Sequence, residues 1–275
     1  MKHIFLLIIL ISFSGVNLVA QSTKDSLKPK IKLIKEVIYR VENGALKNRE
    51  DLFNSELDSY TLYDKNEEPI EYGLYDTDGS IYTKTMYERN EKGNALKGIK
   101  KNASGEIMSY WIYEYDSNEN LIEVKTYDAE NNLTEIQSNK YDENGNIIEI
   151  QLKNPESRMG WKYVYKYNSN NKKTEELRYK PDGNLKDKRK YWYDYNGNES
   201  VQIRSNPKGN YVKLVSEYDK MNNLTIQNAF DKQGKQRRQT SFEIVYDKHG
   251  NWITKKRSSS GELNMVCERQ IEYYK

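Results

Sequence analysis

Nucleophilic and metal chemistry is the first thing to test, because the residues it needs are scarce. The chain has two histidines, His3 and His249, and one cysteine, Cys267. Neither a Ser/His/Asp nor a Cys/His arrangement can be assembled repeatedly from so few groups. With a single cysteine there is no intrachain disulfide and no thiolate metal site, and Cys267 is expected to face inward in the closing hairpin. His249 stands in Tyr246-Asp247-Lys248-His249-Gly250-Asn251, a position that reads as an exposed turn residue. Carboxylates are abundant, but they recur with the chain's periodicity as turn Asp or as strand Glu123, Glu135 and Glu149, which is how structural residues behave. Asp116-Ser117-Asn118-Glu119-Asn120 opens like a calcium loop. Leu121 then stands where the loop needs Gly, and Tyr127 where it needs a bidentate Glu. The expectation is a chain that is not an enzyme, with no catalytic residues, no metal and no cofactor.

Aromatic stacking is the chemistry the chain does have in quantity. Three rows stand out: Trp111, Tyr113 and Tyr115; Trp161, Tyr163, Tyr165 and Tyr167; Tyr191, Tyr193 and Tyr195. A fourth row is Phe242, Ile244 and Tyr246. Residues two apart on a strand project the same way, so each row lies on one face. Lys162, Lys166, Lys190 and Asp194 alternate with them and belong to a solvated face. Two readings stay open. The rows are the core of an interaction scaffold, or part of them is exposed and stacks on sugar rings as ligand-binding residues.

The elements carrying these rows follow from a repeated phrase. Tyr63-Asp64, Tyr75-Asp76, Tyr115-Asp116, Tyr127-Asp128, Tyr141-Asp142, Tyr218-Asp219, Phe230-Asp231 and Tyr246-Asp247 each begin aromatic, Asp, two residues, Gly or a polar substitute, Asn or similar, aliphatic. Weaker copies begin at Tyr87, Tyr167, Tyr179 and Tyr195. The steps Tyr115–Tyr141 and Tyr141–Tyr167 are 26 residues, Tyr167–Tyr195 is 28, Tyr195–Tyr218 is 23 and Tyr218–Tyr246 is 28. Each period holds two turns. Asp142 can accept the following backbone N–H groups and Gly145 can take the positive φ of a type I turn with a bulge, so the phrase encodes a hairpin. Single hairpins are marginal in water, and stacked copies share one face.

Tyr-Asp-x-x-Gly-Asn-aliphatic, as in YDENGNI and YDKHGNW, resembles the YD repeat of Rhs-type bacterial proteins over residues 60–275. The closing YDKHGNWITKKRSSSGELNMVCERQIEYYK is also similar to the ends of a group of secreted Bacteroidota repeat proteins. In Rhs proteins, the resemblance implies, such repeats wind into β shells that enclose a toxin or present carbohydrate-binding surfaces. This chain departs from them in three respects. It is too short to close such a shell, and it has neither an appended toxin domain nor the long core preceding one.

Composition fits many short strands. Only 36% of residues are hydrophobic and mean hydropathy is −1.00, yet 24 tyrosines can each bury a ring while the hydroxyl finds a polar partner. Residues 1–20 read as a secretory signal: Lys2 and His3, the apolar run Ile4–Ile11, then a small, polar stretch to Val19-Ala20, with cleavage between Ala20 and Gln21. The run is too short to span a membrane and no cysteine offers a lipid anchor, so the expected place is the periplasm or outside the cell. Without Lys2 the net charge of +3 becomes +2, with charges interspersed, which argues against nucleic acid. Residues 21–59 are expected to form a polar lead-in and a capping hairpin over Ile31–Val41 and the turn Glu42-Asn43-Gly44, a short helix being the alternative. Residues 60–275 form the array, capped at about 246–275. The expected fold is all-β, tandem antiparallel hairpins in an elongated, twisted sheet or solenoid-like array. The expected function is an exported, non-enzymatic scaffold whose partner is a protein or cell-surface glycan, the alternative being a carbohydrate-binding module using exposed aromatic rows.

Overall fold

The computed structural model describes residues 29–46, 58–76, 78–155 and 160–275. The expected signal and the Ala20–Gln21 boundary lie outside them. Nineteen strands follow one another: β1 (Ile31–Glu42), β2 (Ala45–Leu46), β3 (Ser59–Tyr63), β4 (Pro69–Tyr75), β5 (Ile81–Arg89), β6 (Ala95–Asn102), β7 (Ile107–Tyr115), β8 (Leu121–Asp128), β9 (Leu133–Tyr141) and β10 (Ile147–Lys153). Then come β11 (Lys162–Tyr167), β12 (Lys173–Tyr179), β13 (Leu185–Tyr193), β14 (Glu199–Ser205), β15 (Tyr211–Tyr218), β16 (Leu224–Phe230), β17 (Gln236–Tyr246), β18 (Trp252–Ser259) and β19 (Glu262–Tyr273).

From β3 to β19 each strand pairs antiparallel with the next. β1 pairs with β3 on one edge and with β19 on the other, while β2 is only a two-residue return arm of β1. The nineteen strands less β2 therefore form a closed antiparallel barrel of eighteen. This overturns the expectation of an elongated, twisted sheet or solenoid-like array. Eighteen strands about 4.8 Å apart, tilted by roughly 40°, make a circumference of about 110 Å. Register shifts recur at the hairpin ends, each adding bend and twist. Closure also removes both edges, which an open array would leave with unpaired N–H and C=O groups. The two terminal segments pair with each other: Ile38 with Cys267, and Glu36 with Arg269 across a 2.7 Å ion pair.

Period-two alternation separates the two walls. On β13, Asp187 and Tyr191 are buried while Lys186, Lys190 and Trp192 are exposed. The ladders carry that parity around the ring, so Trp111 faces Gly98 and Thr126, Tyr163 faces Ile150 and Arg178, and Tyr165 faces Glu176 on the inner wall. Buried side chains are divided between apolar residues such as Ile150 and Tyr191 and polar ones such as Thr83, Asn139, Glu176 and Asp187. Such a lining is held by hydrogen bonds and ion pairs as much as by apolar burial. Glycine marks three close approaches: a Cβ at Gly73 would lie 2.0 Å from the Tyr60 ring, one at Gly98 2.9 Å from the Trp111 ring, and one at Gly160 1.5 Å from the Leu152 carbonyl oxygen.

Candidate functional site

The repeated phrase builds its turn as its chemistry demands. Asp142 Oδ1 accepts the N–H groups of Asn144 at 3.0 Å and Asn146 at 2.8 Å, and Gly145 N–H donates to the Asp142 carbonyl. Gly145 has φ +78°; where other copies lack glycine, Glu67, Glu119, Asn131, Asn171 and Asn222 take the positive φ. The calcium-like stretch is the same turn. Asp116 Oδ1 takes the amides of Asn118 and Asn120, and Oδ2 takes the Asn120 side chain at 3.0 Å. The side-chain and backbone amides of Asn120 hold the Asp116 carboxyl below the ordinary range.

The tyrosine that opens the phrase has a task the sequence did not disclose. Turns at one end of the barrel are stitched to their neighbours by its hydroxyl. Tyr115, Tyr141, Tyr167, Tyr193 and Tyr218 donate to the carbonyls of Ala95, Leu121, Ile147, Lys173 and Glu199, at 2.6–2.8 Å. Arg89 replaces tyrosine once and reaches Pro69 O at 2.8 Å. Tyr246 and Tyr273 donate to the turn carboxylates Asp219 and Asp247, and Tyr274 donates to Tyr63 O at 2.7 Å across the seam. These links run around the whole rim. They also correct the phase of the repeat: Tyr193, not Tyr195, is the equivalent residue, making the steps 26 and 25 residues where Tyr195 gave 28 and 23.

The most charged part of the inner wall lies on β11–β14. Asp187, 1% exposed, sits among Arg204 at 3.3 Å, Arg178 at 3.7 Å and Arg189 at 3.8 Å. Glu176 binds Lys173 at 3.0 Å, the Tyr191 hydroxyl at 2.9 Å and Arg189 at 3.4 Å. Burial pushes the Glu176 carboxyl up, but Lys173, Arg189 and Tyr191 outweigh it and hold it below the ordinary value. Burial first, then the Glu176 charge, raises the phenols of Tyr165 and Tyr191. Lys173 lies 5.2 Å above the Tyr165 ring and 4.6 Å above Tyr191. The cluster sets four cations against two carboxylates, and Asp187 Oδ1, Arg178 Nε and Arg189 Nε are buried in it without a hydrogen-bond partner.

Of the aromatic candidates, Trp111, Tyr113, Tyr115, Tyr163, Tyr165, Tyr167, Tyr191 and Tyr193 lie on the inner wall. Tyr163, Tyr165 and Tyr191 gather around the cluster, whereas the β7 row stands apart. Trp161 precedes β11 with Lys186 5.6 Å from its ring, and Tyr195 is 97% exposed in the β13–β14 turn. His249, expected to be exposed, is half-buried with its ring 4.7 Å from that of Tyr273. Cys267 is buried on the inner wall, where burial and then Glu36 push its thiol up to about 12. Residues missed by sequence reasoning are Arg89, Lys173, Glu176, Arg178, Asp187 and Arg189. The signal available for them was parity, since they share the rows' face.

The outer wall differs in kind. Lys125 lies 2.7 Å from both Glu114 and Glu123, Glu149 joins Lys140 and Lys162, and Glu175 joins Lys166 and Lys188.

No family model matches the chain, and no curated protein does. Among solved structures it is similar to a porin-like protein from Bacteroides uniformis, with 9% identity, 89% of this chain and 99% of that one covered, and a TM-score of 0.46. It is also similar to part of a Photorhabdus luminescens Tc holotoxin pore, with 10% identity and a TM-score of 0.31, 88% of this chain matching 17% of that one. A TcdB2-TccC3-Cdc42 structure matches at 11% identity and a TM-score of 0.31, over 88% of this chain and 18% of that chain. These likenesses are too weak to carry an argument about function.

Proposed function

We propose that this chain is an exported, non-enzymatic β-barrel that stands in water and serves as a rigid binding scaffold, its tyrosine rows being structural lining. The observation that carries the reading is the outer wall. A membrane barrel needs strands of about 9–11 residues and an outward apolar band about 25 Å tall. Here β1, β5, β7, β9, β13, β17 and β19 have nine residues or more, but they are interspersed with shorter strands: β11 has six residues and β10, β12, β14 and β16 have seven. Outward positions on three adjoining strands read Lys162, Val164, Lys166; Glu175, Leu177; Lys188, Lys190, Trp192. Lysine facing lipid at mid-depth costs roughly 2–4 kcal/mol per residue, so the ion-pair lattice suits water.

The test is export and partition. Mature chain from residue 21 is expected to fractionate without detergent as a monodisperse species and to stay out of floating phosphatidylethanolamine/phosphatidylglycerol vesicles. A requirement for detergent, or ion conductance on addition to a planar bilayer, would overturn the reading.

A further inference from the structure

The charge cluster on β11–β14 is unbalanced in a way that pairing within the protein does not resolve. Asp187 stands opposite Arg178 on β12 and two residues from Arg189, which itself stands opposite Arg204 on β14. Three guanidinium groups on three neighbouring strands thus share one carboxylate. Only the Arg204 contact, at 3.3 Å, is a hydrogen bond; those of Arg178 and Arg189, at 3.7 and 3.8 Å, are too long to be one. Arg189 is also drawn to Glu176 at 3.4 Å, and Glu176 is already shared by Lys173 and the Tyr191 hydroxyl. Glu199, opposite Tyr193 on the same wall, accepts the Gln202 amide at 2.9 Å. Even with Glu199 counted, four cations outnumber three carboxylates. The excess has a direction. The Asp187 side chain is 2% exposed at the wall, whereas those of Arg178, Arg189 and Arg204 are 21%, 25% and 49% exposed and stand over it towards the lumen.

We propose that this inner-wall site binds a tetrahedral oxyanion, phosphate or sulfate as the free ion or its ester, between Arg178, Arg189 and Arg204, with Asp187 positioning the arginines from below. An arginine fork grips an oxyanion through two parallel N–H donors, and the Nε half of the fork is buried without a partner in both Arg178 and Arg189. Asp187 itself shows why a planar carboxylate is the poorer match. Lying among three forks that arrive from three strands, it hydrogen-bonds one of them, and its Oδ1 is left without a partner. Four oxygens in a tetrahedron accept donors from all three directions. A barrel of eighteen strands is wider than its own side chains fill, so a small ion has a path to the wall. The proposal rests on the barrel's being a binding scaffold and names a ligand class for its interior. The vesicle and bilayer assays decide the scaffold reading without any oxyanion, so the two can fail separately.

The experiment is calorimetric titration of the mature protein with inorganic phosphate near neutral pH in a low-salt buffer, with sulfate as a competitor and acetate at equal ionic strength as the planar, singly charged control. Phosphate is expected to bind at millimolar concentration or below and to be displaced by sulfate, with acetate at least about tenfold weaker and all binding fading as added salt screens the guanidinium charges. Arg204→Gln, which removes the most exposed fork and leaves Asp187 two arginines, is expected to weaken phosphate at least about tenfold with the circular dichroism spectrum unchanged. Arg178→Gln should do the same, so the test does not depend on the folding of one variant. Lys188→Gln removes a cation from the outer wall of the same strand, where it pairs with Glu175, and is expected to bind as the parent does. Phenyl phosphate separates the two sources of the ligand: binding as tight as phosphate or tighter assigns the site to an ester and weaker binding assigns it to the free ion, and either result upholds the site. The proposal is overturned if phosphate does not bind at millimolar concentration, if acetate binds equally, or if Lys188→Gln weakens binding as much as Arg204→Gln and Arg178→Gln do.

Discussion

Replacing the rim tyrosines by phenylalanine isolates the hydroxyl links from the rings that carry them. Tyr115, Tyr141, Tyr167 and Tyr193 donate at 2.8, 2.8, 2.7 and 2.6 Å to carbonyls on the adjoining turn. Phenylalanine keeps the ring on the inner wall and removes one donor from a carbonyl; Leu121 O keeps a second, the Asn139 side-chain amide at 2.8 Å, so Tyr141→Phe should fall at the low end. The net loss for a typical hydrogen bond is about 0.5–1.5 kcal/mol. Each single variant should therefore melt roughly 1–6 °C lower, taking 2–4 °C per kcal/mol for a domain this size. The links involve separate turns, so the quadruple variant should lose roughly 2–6 kcal/mol. Tyr127 is the control: it opens the same phrase at the opposite rim, and its ring is stacked at 4.8 Å on Tyr110, a contact that Tyr127→Phe preserves. Urea unfolding of these six variants beside the parent reads the differences directly. If the quadruple variant were no less stable than Tyr127→Phe, the rim stitching would contribute nothing.

Four further perturbations follow from the same geometry. Gly73→Ala drives a methyl into the buried Tyr60 ring and should cost about 1–3 kcal/mol in urea, whereas a neutral result would mean that the ring moves freely. Asp187→Asn leaves three arginines around a buried site and should cost about 3–5 kcal/mol, read by thermal unfolding, and an effect near zero would show that the cluster is hydrated. His249→Asn restores a common turn residue but removes the contact with Tyr273, for an expected loss of about 0.5–1.5 kcal/mol; full stability would return His249 to the status of a free turn residue. Burial, followed by Asp142 for Tyr167 and by Glu199 for Tyr193, pushes both phenols from their ordinary 10.0 up to about 12, so the folded state holds their protons more tightly than the unfolded chain does. Their contribution is complete below about pH 10 and lost as pH rises towards about 12, and urea midpoints that stay level across that window would contradict it.

How much was legible in the sequence depended on the range of the interaction. Asp142 and Gly145 make a turn through contacts no more than four residues apart, and each copy writes them out in full. The alternation of Tyr163, Tyr165 and Tyr167 with Lys162 and Lys166 sorts the two walls by parity, which needs only the geometry of a strand. Closure has no such local mark. Glu36 meets Arg269 across 233 residues, and whether β1 arrives beside β19 depends on twist and stagger summed over eighteen strands, to which each hairpin contributes little. The rim links were hidden for a related reason. Tyr141 and Tyr127 open the same phrase, and only their placement at opposite ends of the barrel gives one a carbonyl to bind and the other a stacking partner. Tyr195 shows the same division: its sequence neighbours made it a repeat tyrosine, and the fold left it in water because Tyr193 already held the place beside Lys173.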